Sequence, residues 1–171
     1  MRPDVPTAGA CDGAGGFDDF ADIRVSTLLP EDAPLIEALE AATNLSFWGE
    51  DNYRRFLGEL PEYFGRKLAR RVAGATRLVG FSLARAVYEN LELLKIGVLP
   101  EFHRLGLGTR VLEATFEEGV RRGCDRCFLE VRKSNRRAIQ FYGAHGFQIA
   151  GARLDYYSNP TEDAWVMELR L

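Results

Sequence analysis

The stretch "NLELLKIGVLPEFHRLGLGTRVLEATF" runs from an alternating, strand-like segment at 91 to 98, through two closely spaced glycines, into a helical stripe that begins at Leu107. A helix opening from a glycine loop turns its unpaired first-turn N–H groups outward, and Gly106 and Gly108 let a ligand approach the backbone closely. Such a junction is an anion cradle. It is not a dinucleotide fingerprint, which needs G-x-G-x-x-G/A, because Val111 stands at the third position and the loop from Pro100 is longer than a tight strand-to-helix turn. A Walker loop is excluded as well, since no Gly-Lys-Ser/Thr follows. Taken alone, the loop also fits a Gly-rich helix start that binds nothing.

The elements around the junction read as mixed α/β with a strand-rich middle, unlike the regular alternation of a doubly wound sheet. "IRVSTL" from Ile23 alternates as a strand, and "PEDAPLIEALEAA" follows as a helix with Leu35, Ile36 and Leu39 at helical spacing. "GEDNYRRFLGEL" gives a second helix with Tyr53, Phe56, Leu57 and Leu60 on one side, and "KLARRVA" a short strand. "TRLVGFSLARAVY" and "NLELLKIGVLP" predict two longer strands joined by a turn near Glu89 and Asn90. The stripe Leu107, Val111, Leu112, Thr115, Phe116, Val120 ends in Arg121, Arg122 and Gly123, a cationic end that suits the helix dipole. "CFLEVR" is the next strand. "SNRRAIQFYGAHG" is then a helix with Ser134 as the expected N-cap and Gly146 as its stop, and "FQIAGARLDYY" and "AWVMELRL" close as strands.

A chain of 171 residues, 46% hydrophobic and 11% aromatic, can bury one sizeable core. Residues 1 to 21 are rich in Gly, Pro, Ala and Asp with almost no aliphatic side chains, so they are expected to form a flexible tail ahead of a single domain at 22–171. Apolar runs are broken by charge well short of the ~20 residues of a membrane span, and no basic start leads into an apolar signal core; a cytoplasmic location is expected. Three cysteines make no disulfide framework. A net charge of -3 argues against a general nucleic-acid binder. That charge is uneven: residues 1 to 60 hold 4 basic and 12 acidic side chains, whereas residues 101 to 140 hold 9 basic and 6 acidic, a local positive zone suited to a small polyanion.

Cys124 and Cys127 form a C-x-x-C, but a zinc site needs four ligands, and Cys11, His103 and His145 are scattered among a tail, a loop and a helix end. Both cysteines are expected to be small apolar residues leading into a strand, and no metal is expected. A cysteine acyl-enzyme would need a base, and neither histidine is near in sequence. His145 is expected at a helix C-terminus, and the Arg136-Arg137 pair reads as a solvated face.

The order of strand, "PEFHRLGLG", helix, "FLEVR" and "SNRRAIQFYGAHGF" resembles the GNAT family of N-acetyltransferases, whose pyrophosphate loop reads Arg/Gln-x-x-Gly-x-Gly/Ala. The resemblance covers about residues 22 to 171 and is strongest from 91 to 169. "LEVRKSN", the tyrosine of "QFYGAHGF" and the tail from "DYY" to "EDAWVME" look most like the RimI-type branch, which acetylates the N-terminal alanine of ribosomal protein S18. Catalytic subunits of eukaryotic and archaeal N-terminal acetyltransferases carry a similar "VRKSN" run. The implied fold is a single domain with a central, mostly antiparallel twisted sheet, flanked by helices and splayed at an acetyl-CoA site.

Acetyl transfer from a thioester to an amine needs no metal; it needs a neutral amine, a place for the oxyanion and a proton for the leaving thiolate. Alternation puts Phe128, Glu130 and Arg132 on one face of their strand and Leu129 and Val131 on the other, so Glu130 can point at an opening between strands. By resemblance, Glu130 would be the general base, acting through water; the plainer alternative is a glutamate paired with Arg132 or another cation. Tyr142, two turns along the helix from Asn135, would protonate the coenzyme A thiolate, and Asn135 would hold the pantetheine or its phosphate arm. The plainer alternatives are a core aromatic and a helix-start residue.

The resemblance assigns the cosubstrate acetyl-CoA to the strand Ile96, Gly97 and Val98 and to the loop His103, Arg104, Leu105, Gly106, Leu107, Gly108 and Thr109. Tyr156 and Tyr157 would clasp the terminus of a peptide acceptor, and Arg136-Arg137 could meet the cofactor's 3'-phosphate. Two residues depart from the pattern. His103 stands where the family usually has Arg or Gln, which removes one fixed cation. Lys95 stands where related enzymes often have a small or uncharged polar residue; it either shapes acceptor choice or snorkels at a strand edge. The function implied is acetylation of a protein N-terminal α-amine, with transfer to a small amine or amino acid, or a non-catalytic acyl-CoA-binding module, as alternatives. No nucleic-acid or membrane partner is expected.

Overall fold

The computed structural model describes residues 22–43 and 45–171, so the expected tail at 1 to 21 lies outside the described residues. The elements run β1 (Arg24–Thr27), α1 (Ala33–Thr43), α2 (Glu50–Gly58), β2 (Tyr63–Val72), β3 (Ala75–Val87), β4 (Asn90–Val98), α3 (Leu107–Arg121), β5 (Arg126–Arg132), α4 (Arg136–Ala144), β6 (Gln148–Ser158) and β7 (Thr161–Arg170). One seven-stranded sheet results, in the order β1-β2-β3-β4-β5-β7-β6. Every neighbouring pair is antiparallel except β4 with β5. Parallel neighbours need a crossover, and α3, entered through the glycine loop, supplies it. The expected mostly antiparallel sheet flanked by helices is borne out.

Strand β3 shows how the layers form. Its residues Leu78 to Ala84 are all buried, because helices cover both faces. Phe81 and Leu83 pack with Ile36 and Leu39 of α1 and Tyr53 of α2. Ala84 faces the opposite layer, with Leu112 of α3 and Tyr142 of α4. Between them Ser82 hydrogen-bonds Thr115 of α3 at 2.7 Å. Leu35, although in helical phase with Ile36 and Leu39, is exposed. No helix among the described residues is long and apolar enough to cross a membrane.

Two features of β4 shape the site. First, it pairs with β5 only from Asn90 to Glu92, opposite Arg126 to Phe128. β5 stays paired with β7 along its whole length, Arg126 to Arg132, so the sheet splits between β4 and β5 and leaves that edge of β4 open. Second, the register with β3 jumps from Ala84–Leu93 to Leu83–Lys95, which makes Leu94 an extra residue. A bulge of this kind breaks the alternation of side chains. Leu91 and Leu93 join the layer of α3 and α4, while Leu94 packs in the layer of α1 and α2 and Lys95 reaches the same side.

Two local expectations are corrected. The N-cap of α4 is Asn135, whose side chain accepts the Ala138 N–H at 3.1 Å; Ser134 lies one residue outside. Gly146 does stop the helix, at φ 90. The short strand predicted over "KLARRVA" is a ten-residue β2 that begins at Tyr63, because Phe64 and Leu68 both turn inward and Gly65 leaves room for Leu28.

Candidate active site

A cleft of about 780 Å³ opens where β4 and β5 part. Its walls are β4 from Leu93 to Val98, the loop from Pro100 into the start of α3, Glu130 to Arg132 of β5, the inner face of α4, Tyr157 of β6, and Ala42, Thr43, Leu45 and Ser46 at the end of α1 and beyond. The sequence-predicted residues Ile96, Gly97, Val98, His103, Arg104, Gly106, Leu107, Gly108, Thr109, Glu130, Asn135, Tyr142 and Tyr157 all line it. Leu105 and Tyr156, both exposed, do not. Of the paired arginines, Arg137 lines the cleft.

The glycine loop is held at both ends. Phe102 is buried at one end, and His103 Nε2 bonds the Val98 carbonyl at 2.8 Å, which ties the loop to the end of β4. Arg104 and Gly106 both take positive φ, 62 and 72. That conformation costs a non-glycine residue roughly 1 kcal/mol. A Cβ built on Gly106 would meet nothing within 4 Å, so open space lies over the N-terminus of α3. At Gly108 a Cβ would lie 3.4 Å from the Phe141 ring, an ordinary contact distance, so α3 passes close to α4 here. At the same place Thr109 Oγ1 bonds His145 Nε2 at 3.0 Å, and His145 Nδ1 bonds the Phe141 carbonyl at 2.7 Å. His145 caps the C-terminus of α4, as expected.

Glu130 and Tyr142 reach the cleft from opposite layers. Leu129 and Val131 are buried with α3 and α4, so alternation turns Glu130 toward the layer of α1 and α2, whereas Tyr142 belongs to the α4 side. Glu130 is about a quarter exposed and pairs with Arg153 Nη2 at 3.1 Å. Arg132, the partner considered from sequence, instead pairs with Glu162 at 3.0 Å and lies over the Tyr157 ring at 4.1 Å. Tyr157 donates to the Glu130 carbonyl at 3.4 Å, and Tyr156 meets the Tyr157 ring edge-on at 5.1 Å. Tyr142 is buried against Phe141 and Phe147. Burial, assisted by Cys127 and Tyr157, pushes its phenol above the ordinary value, so it is protonated at neutral pH.

Cys124 and Cys127 are both buried, and burial pushes the Cys127 thiol up to about 12. A thiol held protonated is a poor nucleophile. Among the described residues no three His, Cys, Asp or Glu side chains converge as metal ligands.

Lys95 does not snorkel. Its side chain is 4% exposed and its ammonium pairs with Glu40, itself 1% exposed, while donating to the Ser46 carbonyl. Burial pulls the Lys95 ammonium below the usual lysine pKa, against the opposing pull of Glu40. Residues of the α1–α2 segment were not foreseen in the site. One signal was present: Glu40 falls on the inward stripe of α1 with Ile36, Leu39 and Thr43, where a carboxylate requires a buried partner.

Residues 33–147, from the start of α1 to just past the end of α4, match the model of the Acetyltransferase (GNAT) family. Over 147 residues, 85% of this chain and 95% of the relative, the sequence is 33% identical to the ribosomal protein bS18-alanine N-acetyltransferase of Salmonella typhimurium. The crystal structure of the ribosomal-protein-S18-alanine N-acetyltransferase from Escherichia coli superposes with a TM-score of 0.74 at 31% identity, covering 86% of this chain and 93% of that one. Arabidopsis thaliana NAA60 in complex with a bisubstrate analogue shares the fold, with a TM-score of 0.77 at 14% identity over 87% and 99% of the two chains. The split sheet, the glycine loop at the head of α3 and these matches agree: the chain belongs to the acetyltransferase (GNAT) family.

Proposed function

We propose that this acetyltransferase moves the acetyl group of acetyl-CoA directly onto the N-terminal α-amine of a protein, a ribosomal protein beginning with alanine being the leading acceptor. One observation carries the proposal: Glu130 and Tyr142 open from opposite layers onto the same cleft as the glycine loop. The acceptor assignment is supported by the relatives named for bS18-alanine acetylation. Such an acceptor makes the cytoplasm the place of action.

Open space over Gly106, beside first-turn amides that lack partners within the helix, fits a pyrophosphate. The unpaired edge of β4 offers main-chain groups to the pantetheine arm and an amide near Gly97 or Val98 to the oxyanion. Glu130, through water, takes a proton from the acceptor ammonium; the neutral amine attacks the thioester carbonyl, the C–S bond breaks, the departing thiolate receives the Tyr142 proton, and the surplus proton on the new amide nitrogen leaves through water, from which the Tyr142 phenol is restored. An N-terminal amine titrates near ~8 and a lysine near ~10.4, so a carboxylate relay at neutral pH favours the former. Tyr157, bonded beside Glu130, flanks the acceptor, with Tyr156 as the next contact outward.

The test is acetyl transfer to peptides with free N-termini, beginning with Ala, against matched peptides with blocked N-termini and internal lysines, and against polyamines and free amino acids. Transfer to free N-termini is expected. Transfer confined to polyamines or free amino acids would overturn the acceptor, and tight acetyl-CoA binding without transfer to anything would point to a non-catalytic module.

A further inference from the structure

The bulge at Leu94 has turned a lysine into the interior, and the interior has been built to receive it. Lys95 has three N–H donors. One meets Glu40, one the main-chain carbonyl of Ser46, and the third lies 3.1 Å from Tyr53 Oη. Tyr53 in turn donates to Glu40 Oε1, and the other Glu40 oxygen accepts the main-chain N–H of Trp48 at 3.3 Å. The Trp48 ring covers the ammonium, with its centroid 4.3 Å away. Two main-chain groups of the segment joining α1 to α2 are thus fastened to one buried ion pair.

That segment is a wall of the cleft. Leu45 and Ser46 line it, and Leu45 Cδ1 lies 2.8 Å from where a Cβ on Gly97 would stand, so β4 carries a glycine there to let the segment close down. The wall is level with the proposed base. Two residues beyond the last β4–β5 pair, Glu92 with Phe128, stand Leu94 and Glu130, on the same side of the sheet as α1 and α2. A buried ion pair is a poor source of stability, since apolar residues of like volume commonly serve as well; its directional bonds instead favour one geometry. We propose that Lys95 is a positioning residue for the acceptor: held by Glu40, it fixes the main chain at Ser46 and Trp48 and so sets the wall against which the first residue of the acceptor lies. The inference rests on the acceptor reading given above.

The test uses the full chain with the network replaced by apolar residues, Lys95→Met with Glu40→Leu and Tyr53→Phe, so that no buried charge or hydroxyl is left without a partner. Ser46 is exposed and Trp48 only half-buried, so their main-chain groups can turn to water, and the melting temperature should equal or exceed that of the wild type. Hydrogen exchange at residues 45–48 should accelerate about tenfold or more while β4 and α3 keep their protection. The KM for an alanine-starting peptide should rise by about tenfold, with the KM for acetyl-CoA within about twofold. Unchanged exchange at 45–48, an unchanged peptide KM, or equal rises in both KM values would overturn the latch. Exchange needs no acceptor, so the two readings fail separately: a wild type that acetylates no peptide sinks the acceptor assignment, whereas unchanged exchange in the variant sinks the latch.

Discussion

Asn135 caps α4 and is proposed to hold the cofactor as well, two duties that substitution can separate. Its Oδ1 caps α4 by accepting the Ala138 N–H at 3.1 Å, which leaves the amide Nδ2 to donate into the cleft it lines. Asn135→Ala removes both. Loss of an N-cap costs about 1 kcal/mol, which for a domain of 150 to 250 residues lowers the melting temperature by roughly 2–4 °C. Loss of one hydrogen bond to the cofactor costs about 0.5–1.5 kcal/mol, or roughly a 2- to 10-fold rise in Kd. Asn135→Asp keeps an acceptor of equal capping strength but cannot donate, and it adds a negative charge where a polyanion is to bind. Thermal unfolding followed by circular dichroism and calorimetric titration with acetyl-CoA report the two duties. The aspartate variant should melt with the wild type and bind acetyl-CoA more weakly than the alanine variant does. Equal melting of all three proteins would refute the cap, and undiminished binding by the aspartate variant would refute the contact with the cofactor.

Gly106→Ala puts a side chain at φ 72, a strain of roughly 1–2 kcal/mol that the free loop can shed by moving and the cofactor-bound loop must take on, so acetyl-CoA binding should weaken by about tenfold; unchanged binding in the titration would show that binding does not impose this conformation. Tyr142→Phe should lower kcat by about 100-fold with the KM for acetyl-CoA nearly constant, and a wild-type kcat would assign the thiolate's proton to another donor. Stability should fall on the alkaline side. Burial pushes the Cys127 thiol from its ordinary 9.0 up to about 12 and the Tyr142 phenol above its ordinary 10.0, so the stability from their neutral forms is complete below pH 9 and is lost as pH rises above it. Melting temperatures measured from pH 8 to 11 should therefore decline, less steeply in Tyr142→Phe, and a rising melting temperature would contradict the assignment.

Most elements were legible because the apolar periods are clear: the alternation of Leu129, Glu130 and Val131, and the stripe of α3 from Leu107, read directly as strand and helix. The glycine loop was legible for the same local reason. What the sequence hid is long-range. Glu130 pairs with Arg153, 23 residues away on β6, a choice set by β7, which holds β6 one strand beyond β5. The bulge at Leu94 is defined only relative to β3, so Lys95 looked like a strand-edge cation although it faces Glu40, 55 positions earlier. Ser134 and Asn135 are both good caps by residue type, and only the fold of the chain leaving β5 decides between them.

The central claim is that Glu130 acts on the acceptor and not on the cofactor. The most direct measurement pairs calorimetric binding of acetyl-CoA with steady-state transfer to an alanine-starting peptide, for the wild type and Glu130→Gln, across pH 6 to 9. Glu130 is about a quarter exposed and its partner Arg153 is more than half exposed, so the isosteric substitution should leave the fold and the acetyl-CoA Kd within about twofold. Turnover should fall by about 100-fold. Wild-type turnover by Glu130→Gln throughout that range, with acetyl-CoA bound equally well, would contradict the account and assign proton removal to another group in the cleft.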